Sequence, residues 1–453
     1  MKNRNVSRRD FLSVSAVAAG ASIVGKPVHI RELAIDDHRQ TASVDPTPVR
    51  FGIVGIGMQG TGLLGTAIKI PGVSCVAAAD VYDGRHKHAR EITNNPALRT
   101  TRRYQDLLED RNVDAIIAAV PDHWHKQIVL DAVAAGKDIY IEKPMSHSPA
   151  EGVAMVDAVK RSGRILQVGS QRVSSPVYAK AKEMLASGML GDLMMIEGFL
   201  GRNDPCGAWV YPPPPDLSPA NLDWDTWLGS APKQPFNPNL YARWRQWKEY
   251  GTGVAGDLLV HLVTGLMFTM GWNEPPSFAS AVGGIRHFKD GRNMPDVIAT
   301  NFYWHDVPIY MRLNLANEND EVYRFAGSKG ALEIRGRSVT FTPQDGFDTY
   351  PCYYSESYDK AMKQAYDEQW HTENDARVAA AATKNVVRYE APDHDGDFLH
   401  LQNFFNAVRT REPVVEDVVF GHYAALACHM ANESWARRTS VKWDEASKSI
   451  KST

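Results

Sequence analysis

The sequence predicts two joined folds: a doubly wound parallel α/β sheet over residues 49–170, then an α+β domain with a large, mostly antiparallel open sheet over 171–444. Three observations predict it. Up to Ser170, continuous apolar strands alternate with amphipathic helices, the pattern of a sheet covered on both faces. After Asp192 the segments lengthen, become aromatic and alternate with period two. A chain of 453 residues is also too long for one core.

Each element follows from its own pattern. Val49 to Val54 is an apolar strand that runs into Gly55-Ile56-Gly57-Met58-Gln59-Gly60. A helix is expected from Thr61 to Ile70, stopped by Pro71-Gly72. Val73 to Ala79 is a strand closing on Asp80. Val113 to Val120, Asp138 to Glu142 and Ile165 to Val168 read as further strands. Lys126 to Ala135 and Ala150 to Arg161 are the helices between them. In the second domain Val177 to Ala186 is helical. Met194 to Leu200, Ser277 to Gly283, Val297 to Trp304, Ile309 to Leu315 and Val322 to Phe325 are strands. Phe398 to Arg409 and Asp417 to Arg437 are closing helices. An insert between Arg202 and Tyr250 carries Pro212 to Pro215 and five of the eleven tryptophans, so it reads as a folded cap.

Composition narrows the function. Hydrophobic content of 43%, charged content of 23% and a net charge of −3 describe a globular chain without the basic face of a nucleic-acid binder. Four cysteines (Cys75, Cys206, Cys352, Cys428) lie far apart, without metal-ligand spacing, and read as buried free thiols. The first 29 residues read as an address. Lys2, Arg4, Arg8 and Arg9 precede an apolar run from Phe11 to Val24, shorter than the about 20 residues of a stable membrane span. Ser7-Arg8-Arg9-Asp10-Phe11-Leu12 matches a twin-arginine signal, predicting the twin-arginine translocase as partner and a periplasmic or otherwise exported destination. Residues 30–48 read as a linker and 445–453 as a tail.

The glycine turn carries the chemistry. It follows a strand, opens a helix and is trailed by Asp80 twenty positions after Gly60, the context of a dinucleotide-binding Rossmann domain. Gly55 permits the turn, Gly57 lets the backbone approach a pyrophosphate, and Gly60 allows close helix–strand packing. Met58 and Gln59 present amides at the helix N-terminus. Asp80 would accept from ribose hydroxyls, which favours NAD over NADP; Arg85 nearby softens that choice.

With Pro121-Asp122-His123-Trp124-His125, Glu142-Lys143-Pro144, Asp257-Leu258-Leu259-Val260-His261, Asn403-Phe404-Phe405 and Gly421-His422, the chain resembles the Gfo/Idh/MocA oxidoreductases from Val49 to about Asp444. The resemblance implies an NAD(P)-dependent oxidoreductase acting on a sugar, polyol or related carbohydrate. It also implies a metal-free site and a homo-oligomer paired through the open sheet. It places Pro121, His123 and His125 against the nicotinamide half of the cofactor, and Glu142 as an anchor. Many relatives carry Asp three residues after the histidine, where this chain has Thr264.

Oxidising an alcohol needs a hydride acceptor, a base and stabilisation of charge on oxygen. Lys143 ends a parallel strand, where ligands bind, and can polarise the reacting oxygen. Asp257 and His261 share a helix face, with His261 suited to proton transfer. Trp244, Arg245 and Trp247, with Arg172 and Arg202, are substrate-side candidates. Trp224 and Trp227 read as packing. Asp393-His394-Asp395-Gly396-Asp397 lacks the terminal glutamate of a calcium loop and reads as a helix cap. A redox-neutral NAD-dependent glycosidase or epimerase fits the same residues, and a non-catalytic sugar- or nucleotide-binding protein would keep only the fold.

Overall fold

The computed structural model describes residues 28–32, 47–381 and 384–453. The expected signal and most of the linker lie outside them. Val28–Glu32, at their junction, is a β-strand. The described chain divides into two units. The smaller holds that strand and residues 342–387, including the helix Lys360–Ala380, which Asp359 caps through the amides of Ala361 and Met362. The sequence reading missed this helix because its apolar stripe is thin: among its residues only Trp370 is buried.

In the larger unit, β1 (Val49–Val54), β2 (Val73–Ala79), β3 (Arg99–Thr101), β4 (Ala115–Ala118), β5 (Asp138–Glu142) and β6 (Leu166–Gly169) form a parallel sheet. Their order is β3-β2-β1-β4-β5-β6. Chain order reverses between β1 and β4, so the loops leaving those strands flank the crevice where open α/β sheets bind ligands. Every residue of β4 and β5 is buried, which explains the apolar run of β4 and the apolar centre of β5 between Asp138 and Glu142. The first helix begins at Met58, three residues before the expected Thr61. Glycine lowers helix propensity, and here tertiary packing overrides it.

The second sheet contains β7 (Leu193–Gly201), β8 (Phe278–Gly284), β9 (Val297–Trp304), β10 (Val307–Asn314), β11 (Asn319–Gly327), β12 (Gly330–Arg335), β13 (Ser338–Pro343), β14 (Val441–Asp444) and β15 (Ser449–Ser452). These follow the order β13-β12-β11-β7-β10-β9-β8-β14-β15. Pairing is antiparallel from β8 through β9 to β10, whereas β7 runs parallel to β10. In β9 and β10 burial alternates, turning Phe302, Trp304, Ile309, Met311 and Leu313 inward. The expected tail is no tail: Ser449–Ser452 pairs antiparallel with Val441–Asp444.

Residues beyond Ser170 complete the core of the first domain. The helix Gly396–Thr410 inserts Leu401, Phe404 and Phe405 into one core with Phe51, Ile53 and Tyr140. Val418 and Ala425, from the helix Val418–Arg437, join the core on the other side of the parallel sheet. The first domain therefore closes only when the chain returns. Of the four free cysteines Cys428 is buried and Cys75 half-buried, but Cys206 and Cys352 are exposed, against expectation. Asp395 caps the helix that follows it by accepting from the Phe398 amide at 3.0 Å.

Candidate active site

The three glycines divide their labour as the sequence suggests. Gly55 has φ +84°, and a Cβ there would stand 2.4 Å from the Ala119 carbonyl oxygen. At Gly60 a Cβ would lie 2.0 Å from the Gly55 oxygen, so helix and strand touch through it. Around Gly57 nothing lies within 4 Å of a Cβ position. That open space, at a helix N-terminus, is a cradle for a pyrophosphate. Asp80 staples the turn: its carboxylate accepts from the amides of Ile56 (2.8 Å) and Tyr82 (2.9 Å). A carboxylate offers about four lone-pair sites, so two remain toward the groove that Asp80 lines. Arg85 lines the same groove, with its Nε buried and unpartnered.

The groove measures about 580 Å³ and runs from the glycine turn to Lys143. The insert roofs it with Pro212 to Pro215, Tyr241 and Trp244. Clamps fix this roof to the first domain. Tyr82 donates its hydroxyl to Asp216, the Asp83 amide donates to Asn221 (3.0 Å), and the Asp223 amide donates to Val81 (2.9 Å). Inside the insert Trp224 stacks on Trp227 at 4.8 Å, the packing expected of that pair. Trp247 packs into the same apolar cluster and lines neither the groove nor the chamber beyond it, which corrects its placement against substrate.

His123 and His125 also depart from expectation. Both are buried beneath the crevice. The His123 ring nitrogens meet the carbonyls of Tyr250 and Trp227, and the His125 ring nitrogens those of Pro144 and Val120. Burial pushes His123 down to about 4, so the ring is neutral and its single N–H donates to one of its two carbonyl neighbours. From this segment Pro121, Asp122 and Trp124 line the groove instead. Glu142 accepts from Gln59 Nε2 at 3.1 Å, tying β5 to the glycine turn, and burial lifts its carboxyl to about 7.

Beyond Lys143 lies a second, polar chamber that shares Met58, Gln59, Lys143, Tyr211 and Arg245 with the groove. Lys143 stands at the junction. Its ammonium donates to Asp257 Oδ1 and to the Asp257 carbonyl, both at 3.0 Å, leaving one of three N–H donors for a ligand. Asp257 also accepts from Arg245 Nε at 2.9 Å and from Trp209 Nε1 at 3.1 Å. Burial alone would raise this carboxyl, but Lys143 and Arg245 hold it well below the usual range.

Asp257 and His261 do not form the simple i, i+4 pair. Ala255–Leu259 is a π-helical segment, and the α-helix proper is Val260–Met270. Gly256 makes this possible, because a Cβ there would fall 1.6 Å from Thr252 Oγ1. His261 lines the chamber with Nδ1 buried and unpartnered. Burial, then Arg172 and Lys143, push its imidazole well below the ordinary value, so it is neutral and able to accept a proton. Thr264 turns its hydroxyl to the His261 carbonyl at 3.2 Å. What fixes this residue is the backbone, which Tyr323 also holds at 2.9 Å.

Arg172, Arg202 and Arg245 reach the chamber wall, and Trp244 lines the groove under the Arg245 guanidinium, 4.2 Å from its ring centre. Trp209 joins the chamber wall, and sequence reasoning missed Tyr211, Glu321 and Asp397, which line it too. Trp209 has φ +60°, a left-handed conformation no local pattern announces. Among the described residues no group of three or more His, Cys, Asp or Glu could hold a metal.

The groove therefore fits a dinucleotide: an unobstructed cradle at Gly57, a carboxylate with free lone pairs at Asp80, and a polar end at Lys143. Comparisons agree. Residues 49–170 match the Gfo/Idh/MocA oxidoreductase family's NAD-binding Rossmann fold, and 221–443 its C-terminal α/β domain. An inositol 2-dehydrogenase/D-chiro-inositol 3-dehydrogenase of Lactiplantibacillus plantarum is 32% identical over 33% of this chain and 43% of its own length. A scyllo-inositol 2-dehydrogenase (NAD(+)) of Bacillus subtilis is 32% identical over 33% and 44%. The chain thus spans about half the length of the curated relatives it matches. A levoglucosan dehydrogenase solved with NADH shares the fold at TM-score 0.64 and 16% identity, covering 87% of this chain and 99% of that one. With both of its domain models matched across most of the sequence, the chain belongs to the Gfo/Idh/MocA oxidoreductase family, whose NAD-binding Rossmann fold it carries in residues 49–170.

Proposed function

We propose that the protein interconverts an alcohol and a carbonyl on a sugar or polyol, using NAD held in the groove. The observation that carries this reading is Lys143, shared by a cradle shaped for a dinucleotide and by a polar chamber. NAD, when bound, supplies the hydride acceptor. Gly55, Gly57, Gly60 and Asp80 would hold its phosphates and ribose. The free N–H of Lys143 donates to the reacting oxygen, and the neutral imidazole of His261 takes up the hydroxyl proton. Asp257 keeps Lys143 in place. The names of the inositol and levoglucosan dehydrogenases support a carbohydrate substrate.

The clamped roof supports a second design, in which a retained cofactor returns its hydride within one turnover, as a redox-neutral glycosidase or epimerase requires. Export by the twin-arginine route rests on Arg8-Arg9-Asp10-Phe11-Leu12. Self-association through the open sheet is supported by exposed Met194, Val282 and Tyr303 on its strands.

The test is NAD binding followed by a sugar and polyol panel monitored for NADH absorbance and for released aglycone. NADH formation establishes net oxidation; aglycone without net NADH establishes the redox-neutral form. Lys143→Met should keep NAD affinity and lose about 10²–10⁴-fold in turnover. Full activity in that variant would refute the assignment.

A further inference from the structure

The polar chamber carries more positive than negative charge. Lys143, Arg172, Arg202 and Arg245 face Asp257, Glu321 and Asp397. Three of the cations have a carboxylate partner: Lys143 and Arg245 share the single charge of Asp257, and Arg172 is held by Glu321, which also accepts from Tyr178 at 2.9 Å. Arg202 is different. Its guanidinium donates only to the Gly207 carbonyl, at 3.2 Å, and among the described residues no carboxylate pairs with it. Asp397 is the third carboxylate of the wall, its carboxyl raised by burial and its Oδ1 buried without a partner, so four cations meet three carboxylates and one positive charge is in excess. Two orphaned polar atoms, Asp397 Oδ1 and His261 Nδ1, therefore belong to residues lining a chamber with one unmatched guanidinium.

We propose that this chamber selects a sugar bearing a single carboxylate, a uronate or aldonate, and that Arg202 is its counter-ion. The proposal rests on the reading that the chamber holds the sugar. A guanidinium matches a planar carboxylate through two parallel hydrogen bonds. Arg202 follows the last residue of β7, with its amide bound to the Asn314 carbonyl at 2.8 Å, so its backbone is fixed by the sheet. One unmatched cation balances a monoanion. A phosphorylated sugar would bring a second negative charge that the wall does not meet, and a neutral sugar would leave the guanidinium without an acid.

The test uses the NAD-loaded protein and tryptophan fluorescence. Glucuronate, galacturonate and gluconate are titrated beside glucose, galactose and glucitol, with glucose 6-phosphate as a further arm. At least one acid should bind about tenfold tighter than its neutral counterpart. That preference should shrink with added salt, vanish in Arg202→Gln and return in part in Arg202→Lys, with unchanged circular dichroism. The proposal is overturned if no acid outbinds its neutral parent, if the preference survives in Arg202→Gln, or if glucose 6-phosphate binds best. NAD binding is measured first by the same signal. Its absence would defeat the redox reading itself, whereas NAD binding without acid preference defeats only the role of Arg202.

Discussion

Two single residues of the glycine turn separate fold from function. Gly60→Ala drives a Cβ to within 2.0 Å of the Gly55 carbonyl and should destabilise the first domain. Gly57→Ala meets nothing in the protein, and Gly57 has φ −70°, which alanine adopts freely. Its melting temperature should match the parent while NAD affinity falls about tenfold or more, because the methyl group occupies the approach of the pyrophosphate. Calorimetric titration and thermal unfolding of the two variants check this. Glu142 makes a pH prediction. Burial lifts its carboxyl from 4.5 to about 7, so between those values the folded chain keeps a proton the unfolded chain has released. Stability from this group is thus complete below 4.5 and falls as pH rises toward 7. Glu142→Gln preserves an acceptor for Gln59 and should flatten the dependence of melting temperature on pH across that window.

At the scale of elements, the π-helical segment is held from outside. Thr252 donates both its amide (2.9 Å) and its hydroxyl (2.7 Å) to the buried Asp122 Oδ2. This fixes the start of the segment carrying Asp257 to the loop after β4. Thr252→Val removes one of those bonds and leaves a buried carboxylate oxygen short of a donor. It should cost about 1–3 kcal/mol in urea unfolding and lower turnover, because Lys143 loses a well-placed partner. The insert supplies the second element-level prediction. Asp216→Ala removes the acceptor for Tyr82 at the edge of the cofactor roof. NAD release, followed by stopped-flow fluorescence, should quicken about three- to tenfold while the first domain's stability is unchanged. An unaltered release rate would show that the roof does not govern retention.

For the whole molecule, the decisive fact is that the closing helices finish the first domain. Phe404 and Phe405 are fully buried with Phe51 and Tyr140. Phe404→Ala should cost about 3–5 kcal/mol, and residues 49–170 expressed alone should fail to unfold cooperatively. A cooperative transition in that fragment would refute the shared core.

Much of this was legible in the chain. Unbroken apolar strands mark a sheet covered on both faces and alternation marks one with a single buried face, so β1 and β2 of the first sheet and β9 of the second fall at their expected bounds. The helix expected from Ala150 to Arg161 runs from Pro149 to Ser162. The glycines of the turn state their roles because each role excludes any side chain. Those features are local, set by propensity and steric exclusion within a few residues. Other features were decided only by long-range packing. The resemblance sets His123 and His125 against the cofactor, yet their ring nitrogens face the backbone carbonyls of Trp227, Tyr250, Pro144 and Val120. Trp209 reaches Asp257 only from a left-handed backbone within the insert. The π-helical turn between Asp257 and His261, the unmatched Arg202 and the return of Phe404 to the first core depend on neighbours tens or hundreds of residues away. The sequence by itself determined the order of strands and helices and the identity of the dinucleotide turn. The tertiary structure decided which polar groups face the chamber, because burial and partners are properties of the folded surroundings and not of spacing along the chain.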